Sequence, residues 1–102
     1  MLILNRKIGQ RVVIDGSTYL GLIHVQGGTA TLALSGPLGR WQGGCETGTV
    51  LSLAPGVTAE VLQVKGQYVR LGIKAPPAVR VDREEIAQLR LGGTSDDLDR
   101  RP

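Results

Sequence analysis

The sequence predicts one small, mainly β domain, and three observations lead to this prediction. The chain has 102 residues, enough for one compact core but not for two independent ones. Several segments alternate apolar and polar residues, as half-buried strands do. The chain contains 15 glycines, and pairs of these segments are separated by short glycine-containing breaks that are typical of β-hairpins.

The first element is a short strand over residues 1–7, in which the charges follow a brief apolar run. A secretory leader has its charges before a longer apolar run, and no later stretch approaches about 18 apolar residues. We therefore expect no leader and no membrane partner. We expect a cytoplasmic protein.

Two hairpins follow, one in each half of the chain. Segments 18–25 and 28–35 flank the turn Gln26-Gly27, and segments 57–64 and 67–74 flank the turn Lys65-Gly66. Shifting the sequence by 39 positions superposes the hairpins without a gap, with Gly27 on Gly66, Leu32 on Leu71, Leu34 on Ile73 and Pro37 on Pro76. The coincidence of turn glycines and core positions predicts an internal repeat, 1–39 and 40–91, within a single domain of residues 1–91.

The two repeats are unequal. The counterpart of the first strand, residues 40–46, has two central glycines and no alternation, so we expect it to connect the repeats rather than to form a good strand. Only the second repeat continues past its proline, with a strand over 78–82 and a helix over 83–91 that Asp82 is expected to cap. Residues 92–102 are polar and acidic, and are predicted to be disordered.

Cysteine and histidine usage excludes several classes of protein. With one cysteine, Cys45, and one histidine, His24, the chain can form neither an internal disulfide nor a Cys/His metal site. No nucleophile–base pair and no phosphate-binding loop is recognisable, so we expect no enzyme, no catalytic residue, no metal and no cofactor.

Charge gives the first indication of a partner. Residues 1–80 carry eight Lys and Arg against three acids, whereas residues 81–102 carry four Arg against six acids. A basic body favours an anionic partner such as nucleic acid. With only three aromatic residues in the chain, extensive base stacking is not expected.

Three stretches together resemble the carbon storage regulator family (CsrA/RsmA). These are the opening Met1-Leu2-Ile3-Leu4-Asn5-Arg6-Lys7-Ile8-Gly9, the hairpin core Val64-Lys65-Gly66-Gln67-Tyr68-Val69-Arg70-Leu71-Gly72-Ile73-Lys74-Ala75-Pro76, and the ending Val79-Arg80-Val81-Asp82-Arg83-Glu84-Glu85-Ile86. The resemblance implies interleaved antiparallel sheets, in which each unit lends its first and fifth strands to its partner's three central strands. Two fused units would then form a single-chain pseudo-dimer that is expected to be monomeric, with a strand-exchanged homodimer as the alternative.

The resemblance also implies an RNA partner and a site for it. The family reads GGA motifs in hairpin loops of mRNA leaders or small regulatory RNAs and represses translation. Carried over to this chain, the RNA-binding residues are expected to be Leu4, Asn5, Arg6, Lys7, Arg80, Val81, Asp82 and Arg83. Asn5 stands where the family usually has Thr, and Asp82 where His is frequent, which puts affinity and motif preference in question. One intact RNA site per chain is expected.

A second hypothesis remains open. A degenerate family member without RNA binding would act as a protein-interaction module through its helix and acidic tail. The loss of one outer strand and the acid at position 82 favour this hypothesis, whereas the retained Arg6 and Arg83 favour RNA binding.

Overall fold

The computed structural model describes residues 1–92, so the predicted disordered segment lies outside the described residues except for Gly92, which ends the helix. Within this range the chain forms nine strands and one helix: β1 (Leu2–Lys7), β2 (Arg11–Ile14), β3 (Thr18–Gln26), β4 (Thr29–Gly36), β5 (Gly39–Cys45), β6 (Val50–Ala54), β7 (Val57–Lys65), β8 (Tyr68–Lys74), β9 (Val81–Arg83) and α1 (Glu84–Gly92). None of the described helical residues forms a segment long and apolar enough to cross a membrane.

The strands form two antiparallel sheets that exchange their outer strands. The four-stranded sheet has the order β1-β8-β7-β6, and the five-stranded sheet has the order β5-β4-β3-β2-β9. Strand β1 thus pairs with β8 in the hairpin of the second half, while β5 pairs with β4 of the first hairpin and β9 pairs with β2. This topology confirms the predicted mainly β, interleaved fold with one short C-terminal helix.

One hydrophobic core holds the two sheets together. Its buried side chains come from inward-facing positions of both hairpins, where the sequence alternates, and also from β1, β2, β5 and β6. The largest of these side chains are at most 2% exposed: Ile14, Leu20, Leu22, Leu32, Leu71 and Ile73. Each side chain of this size contributes about 1.5–3 kcal/mol by leaving water.

The offset of 39 residues holds in the hydrogen-bond register. Leu4 pairs with Leu71 in the β1–β8 ladder, and the positions 39 residues away, Gly43 and Leu32, pair in the β5–β4 ladder. The register of the β3–β4 hairpin shifts after Leu22, and that of the β7–β8 hairpin shifts at the equivalent point, after Val61. The register of β6–β7 departs from this pattern, because it shifts between Ser52 and Ala54 whereas that of β2–β3 does not shift.

The expectation for residues 40–46 is wrong, because β5 is a regular strand there. The two-residue turn Pro37-Leu38 joins β4 directly to β5, so the segment pairs with its neighbour as a hairpin. Its glycine is also explained by packing, since a Cβ atom at Gly43 would lie 2.6 Å from Cζ2 of Trp41. Gly43 makes room for the indole ring and does not interrupt the strand.

The last strand and the helix differ from prediction at their boundaries. The Val79 N–H donates to the Pro76 carbonyl at 3.0 Å, and this turn delays the strand from the predicted residues 78–82 to Val81–Arg83. The helix begins at Glu84, so Arg83 and not Asp82 directly precedes it.

Candidate nucleic-acid interface

Two strand edges from opposite halves of the chain face each other across a groove. Both β1 and β9 lie at the edge of a sheet, so each is paired with a strand on one side only. The groove between them, which we call the β1–β9 groove, has a volume of about 230 Å³ and is lined by Leu2, Ile3, Leu4, Val81, Asp82, Arg83 and Ile86. The structure therefore brings together four of the eight predicted site residues: Leu4, Val81, Asp82 and Arg83.

The groove offers backbone groups as well as side chains. The Leu4 side chain is buried in the core opposite Leu71, so at this position it is the backbone that faces the groove. Val81 also packs against the core. Edge strands present unpaired N–H and C=O groups in a fixed spacing, and such groups can bond the edges of unstacked bases.

The remaining predicted residues lie outside the groove lining. Lys7 is exposed at the end of β1, and Arg80 is exposed directly before β9, where its carbonyl accepts from the Asp15 N–H at 2.7 Å. Asn5 is exposed, and its Oδ1 accepts from Nε of Arg70 at 3.2 Å.

Arg6 has a different environment from the other cations. Its side chain is only 4% exposed and donates two hydrogen bonds to the Glu85 carboxylate, at 2.8 and 2.9 Å. It also donates to the carbonyls of Asn5 and Arg11, at 2.9 and 3.0 Å. The hydrogen bonds from Arg6 hold the pKa of Glu85 at about 2. Arg6 thus ties β1 to the first turn of α1, and its guanidinium is already occupied.

A second ion pair anchors the same helical turn. The Arg11 guanidinium donates to both carboxylate oxygens of Glu84 and lies 4.3 Å from the centre of the Tyr19 ring. This hydrogen bonding lowers the pKa of Glu84 and raises the pKa of Arg11. Sequence reasoning missed both arginine partners, because they lie on strands far from the helix in sequence.

Sequence reasoning also missed three apolar residues of the groove. Leu2, Ile3 and Ile86 line it and are 44%, 56% and 39% exposed. The sequence did contain a signal for these residues, because β1 begins with an unbroken apolar run, whereas a strand with one face in solvent alternates apolar and polar residues. The family resemblance pointed instead to the polar positions that follow this run.

A second groove lies at the opposite edges of the two sheets, between β5 and β6. This β5–β6 groove has a volume of about 400 Å³, and its apolar lining includes Leu34, Leu38, Trp41, Leu53, Ala54 and Pro55. Arg40 contributes a cation there. Within residues 1–92, β6 has no strand on its outer side, because the chain passes from β4 straight into β5 and forms no counterpart of β9.

The cysteine and the histidine have ordinary surroundings. Cys45 is 1% exposed in the core, and burial raises the pKa of its thiol, so the reactive thiolate is disfavoured. His24 is exposed, with Nε2 at 3.3 Å from Oε1 of Gln26. No group of three or more potential ligands for a metal ion occurs in the part of the chain that the structure describes.

Comparison with known proteins finds a family match in the second half of the chain and a relative that is similar over part of the chain. Residues 48–90 match the CsrA family, described as the global regulator protein family. Over 39 residues, 38% of this chain, the sequence is 44% identical to the translational regulator CsrA of Geobacter sulfurreducens (strain ATCC 51573 / DSM 12127 / PCA). The chain spans about half, 49%, of that relative's length. No solved structure matches the chain. Both matches name regulators, which supports the prediction that the chain is not an enzyme.

Proposed function

Because residues 48–90 match the CsrA family, we propose that this protein is a post-transcriptional regulator that binds RNA in the β1–β9 groove. The observation that carries the proposal is the meeting of two open strand edges with an exposed arginine, Arg83, at the mouth of the groove. The relative named translational regulator points to the same class of function.

The chemistry of the groove favours an unpaired RNA loop over a duplex. Backbone N–H and C=O groups of β1 and β9 bond base edges, which a loop exposes and a duplex hides. Arg83 can donate two parallel hydrogen bonds to the acceptors of a guanine, and Lys7 and Arg80 neutralise phosphates on either side. The family resemblance specifies the loop as GGA in an mRNA leader or a small regulatory RNA. Binding over a ribosome-binding site in the cytoplasm would repress translation.

Two departures from the family shape the expected affinity. The Asp82 carboxylate lines the groove and repels phosphates, so we place the RNA backbone on the side of Arg83. The Asn5 Oδ1 atom accepts a hydrogen bond from Nε of Arg70, and this bond holds the Arg70 guanidinium beside Asn5. Arg6 acts as a positioning residue, since its ion pair with Glu85 holds α1 beside the groove.

One chain supplies one complete groove. Strand β1 comes from the first half and β9 from the second, so both walls belong to the same molecule and no second copy is needed to form the site. At the other end of the molecule, the β5–β6 groove has no equivalent of β9 within the described residues. We therefore propose one RNA site per chain.

Native mass spectrometry tests the proposal. The chain is titrated with a short RNA hairpin carrying GGA in its loop, and with the same hairpin carrying a scrambled loop. We expect a complex with one RNA per chain that forms only with the GGA loop. Equal binding of both hairpins would remove the sequence preference, and the absence of any complex would overturn the RNA function.

The interaction-module hypothesis rests on a specific feature of α1. Leu89 is 67% exposed and Ile86 is 39% exposed on this helix. Such residues can meet a protein partner. If the hairpin titration fails while the protein remains folded, this hypothesis replaces RNA binding.

A further inference from the structure

We propose that the β5–β6 groove binds an extended peptide strand of another protein, which adds to the open edge of β6 as β9 adds to β2. The partner strand carries small β-branched apolar residues at alternate positions. The inference concerns a surface remote from the β1–β9 groove and does not depend on RNA binding.

The backbone of β6 presents free hydrogen-bonding groups to this groove. The Val61 N–H donates to the Thr49 carbonyl at 2.8 Å, so this carbonyl points toward β7. Because these directions alternate along an antiparallel strand, the N–H groups of Val50 and Ser52 point away from β7, ahead of the register shift between Ser52 and Ala54. The described part of the chain contains no strand that pairs with this side of β6.

The other half of the molecule shows what fits such an edge. There, β9 covers β2 with Val13 opposite Asp82, and the Asp15 N–H donates to the Arg80 carbonyl at 2.7 Å. The offset of 39 residues places Ser52 at the position of Val13. A strand on β6 would therefore pair with Ser52 in the way that β9 pairs with Val13.

The side chains around the groove define the chemistry of the partner. Strand β6 carries no charge, and Val50, Leu38 and Trp41 are 59%, 88% and 42% exposed. An uncharged open strand edge beside exposed apolar side chains is a typical site of strand addition. At the equivalent place in the other sheet, Val79 and Val81 pack against the core. Alternating valines are thus the pattern that this type of groove accepts.

Other occupants fit less well. Residues 93–102 contain one apolar residue, Leu98, and three aspartates, which do not provide the alternating pattern. A second copy of the chain that paired through its own β6 would bring the rest of its sheet with that strand. Strand β5 forms the opposite wall of this groove and stands in the way of a whole sheet. The geometry suits a single extended strand.

A synthetic peptide with the sequence of residues 78–83 provides the probe. Trp41 is the only tryptophan of the chain and lines the groove, so its fluorescence reports occupancy. We expect saturable 1:1 binding that changes this fluorescence, and no change with a peptide carrying Val79→Ser and Val81→Ser. No fluorescence change up to the solubility limit of the peptide would overturn the proposal.

Variants at Ser52 identify the edge that is used. Ser52→Pro removes the N–H that points into the groove, whereas Ser52→Ala keeps it, so we expect about tenfold weaker binding for proline than for alanine. Circular dichroism checks the fold of both. If the proline variant unfolds, a peptide N-methylated at the position of Asp82 removes the matching donor and is expected to bind the wild-type protein about tenfold more weakly.

Four outcomes would contradict this assignment of the groove. Equal binding by the two Ser52 variants, or displacement of the peptide by the GGA hairpin, would place the peptide on another surface. Tighter peptide binding by a chain that ends at Gly92 would assign the groove to residues 93–102. A dimer in sedimentation that the peptide dissociates would assign it to a second copy. The assay contains no RNA unless the hairpin is added, so its failure is separate from a failure of RNA binding.

Discussion

The β1–β9 and β5–β6 grooves occupy equivalent positions in a structure whose halves correspond at an offset of 39 residues, yet they differ in content. The first is closed by β9 and includes Ile86 of α1, with Asp82 and the exposed Arg83 in its lining. The second has an apolar lining, Arg40 and an open strand edge. The added strand thus closes one groove and brings two charged residues to its otherwise apolar lining.

The difference extends to one buried position in each half. Arg6 on β1 and Cys45 on β5 are equivalent at the offset of 39, and both are buried, at 4% and 1% exposure. Beside β1, the helix supplies Glu85 to pair with the buried guanidinium. Beside β5 there is no second helix within the described residues. A buried arginine without a carboxylate would be costly there, and a small apolar thiol avoids that cost.

The largest expected effect tests whether the halves share one core. Leu71→Ala and Leu32→Ala each remove an equivalent, fully buried side chain, and each is expected to lower the free energy of unfolding by about 2–5 kcal/mol. Urea denaturation measures both. A loss below about 1 kcal/mol for either variant alone would show that its half is not part of the cooperative unit.

The next effect concerns the ion pair found only beside β1. Glu85→Gln removes the negative charge and one of the two acceptor oxygens beside the buried Arg6, and is expected to cost about 1–3 kcal/mol of stability. Glu84→Gln is the matched control. Its partner Arg11 is 45% exposed, so the loss is expected to stay below about 1 kcal/mol. Equal losses from the two variants would contradict the special role of the buried arginine.

Arg83 and Arg40 compare the two grooves as RNA sites. Arg83→Ala is expected to weaken binding of the GGA hairpin by about 1–3 kcal/mol without unfolding the protein, since the Arg83 side chain is exposed. Arg40→Ala, in the β5–β6 groove, is expected to leave the affinity unchanged. Titration calorimetry measures both. Unchanged affinity on loss of Arg83 would remove the proposed site.

Acid should weaken the contact between β1 and α1. The pKa of Glu85 is about 2 in the folded protein and near 4.5 in the unfolded chain, so its stabilising contribution is complete above pH 4.5 and is lost as the pH falls toward 2. The stability difference between wild type and Glu85→Gln should shrink across this window. A difference that stays constant down to pH 2 would show that the carboxylate does not stabilise the fold.

The smallest effect is on salt dependence. Lys7→Ala removes one exposed cation beside the RNA groove, and is expected to reduce the slope of log K against log salt by about 0.7. Lys74→Ala is the control, because this exposed lysine lies on β8, which contributes no residue to the lining of the groove, whereas Lys7 lies on β1, which does. Fluorescence anisotropy at several salt concentrations measures the slopes. The same slope for both variants would place Lys7 outside the phosphate path.

Much of this architecture was predictable because it is periodic. Alternation placed the inward residues of both hairpins, and the offset of 39 residues identified equivalent turns that the strand registers reproduce. Strand β5 was not predictable in this way. Gly43 interrupts the alternation, and only the position of the Trp41 ring shows why a glycine is needed there.

For the candidate site, the residue types and the two segments that carry them could be predicted before any folding was known. The packing of the folded chain was needed to show that Arg6 is buried against Glu85, that Leu4 turns its side chain into the core, and that Ile3 and Ile86 line the groove. Arg6 and Glu85 are 79 residues apart, and no local pattern encodes such a pair. The pairing arises because burial in the shared core requires the two halves to exchange strands, and this exchange brings β1 beside β9 and α1.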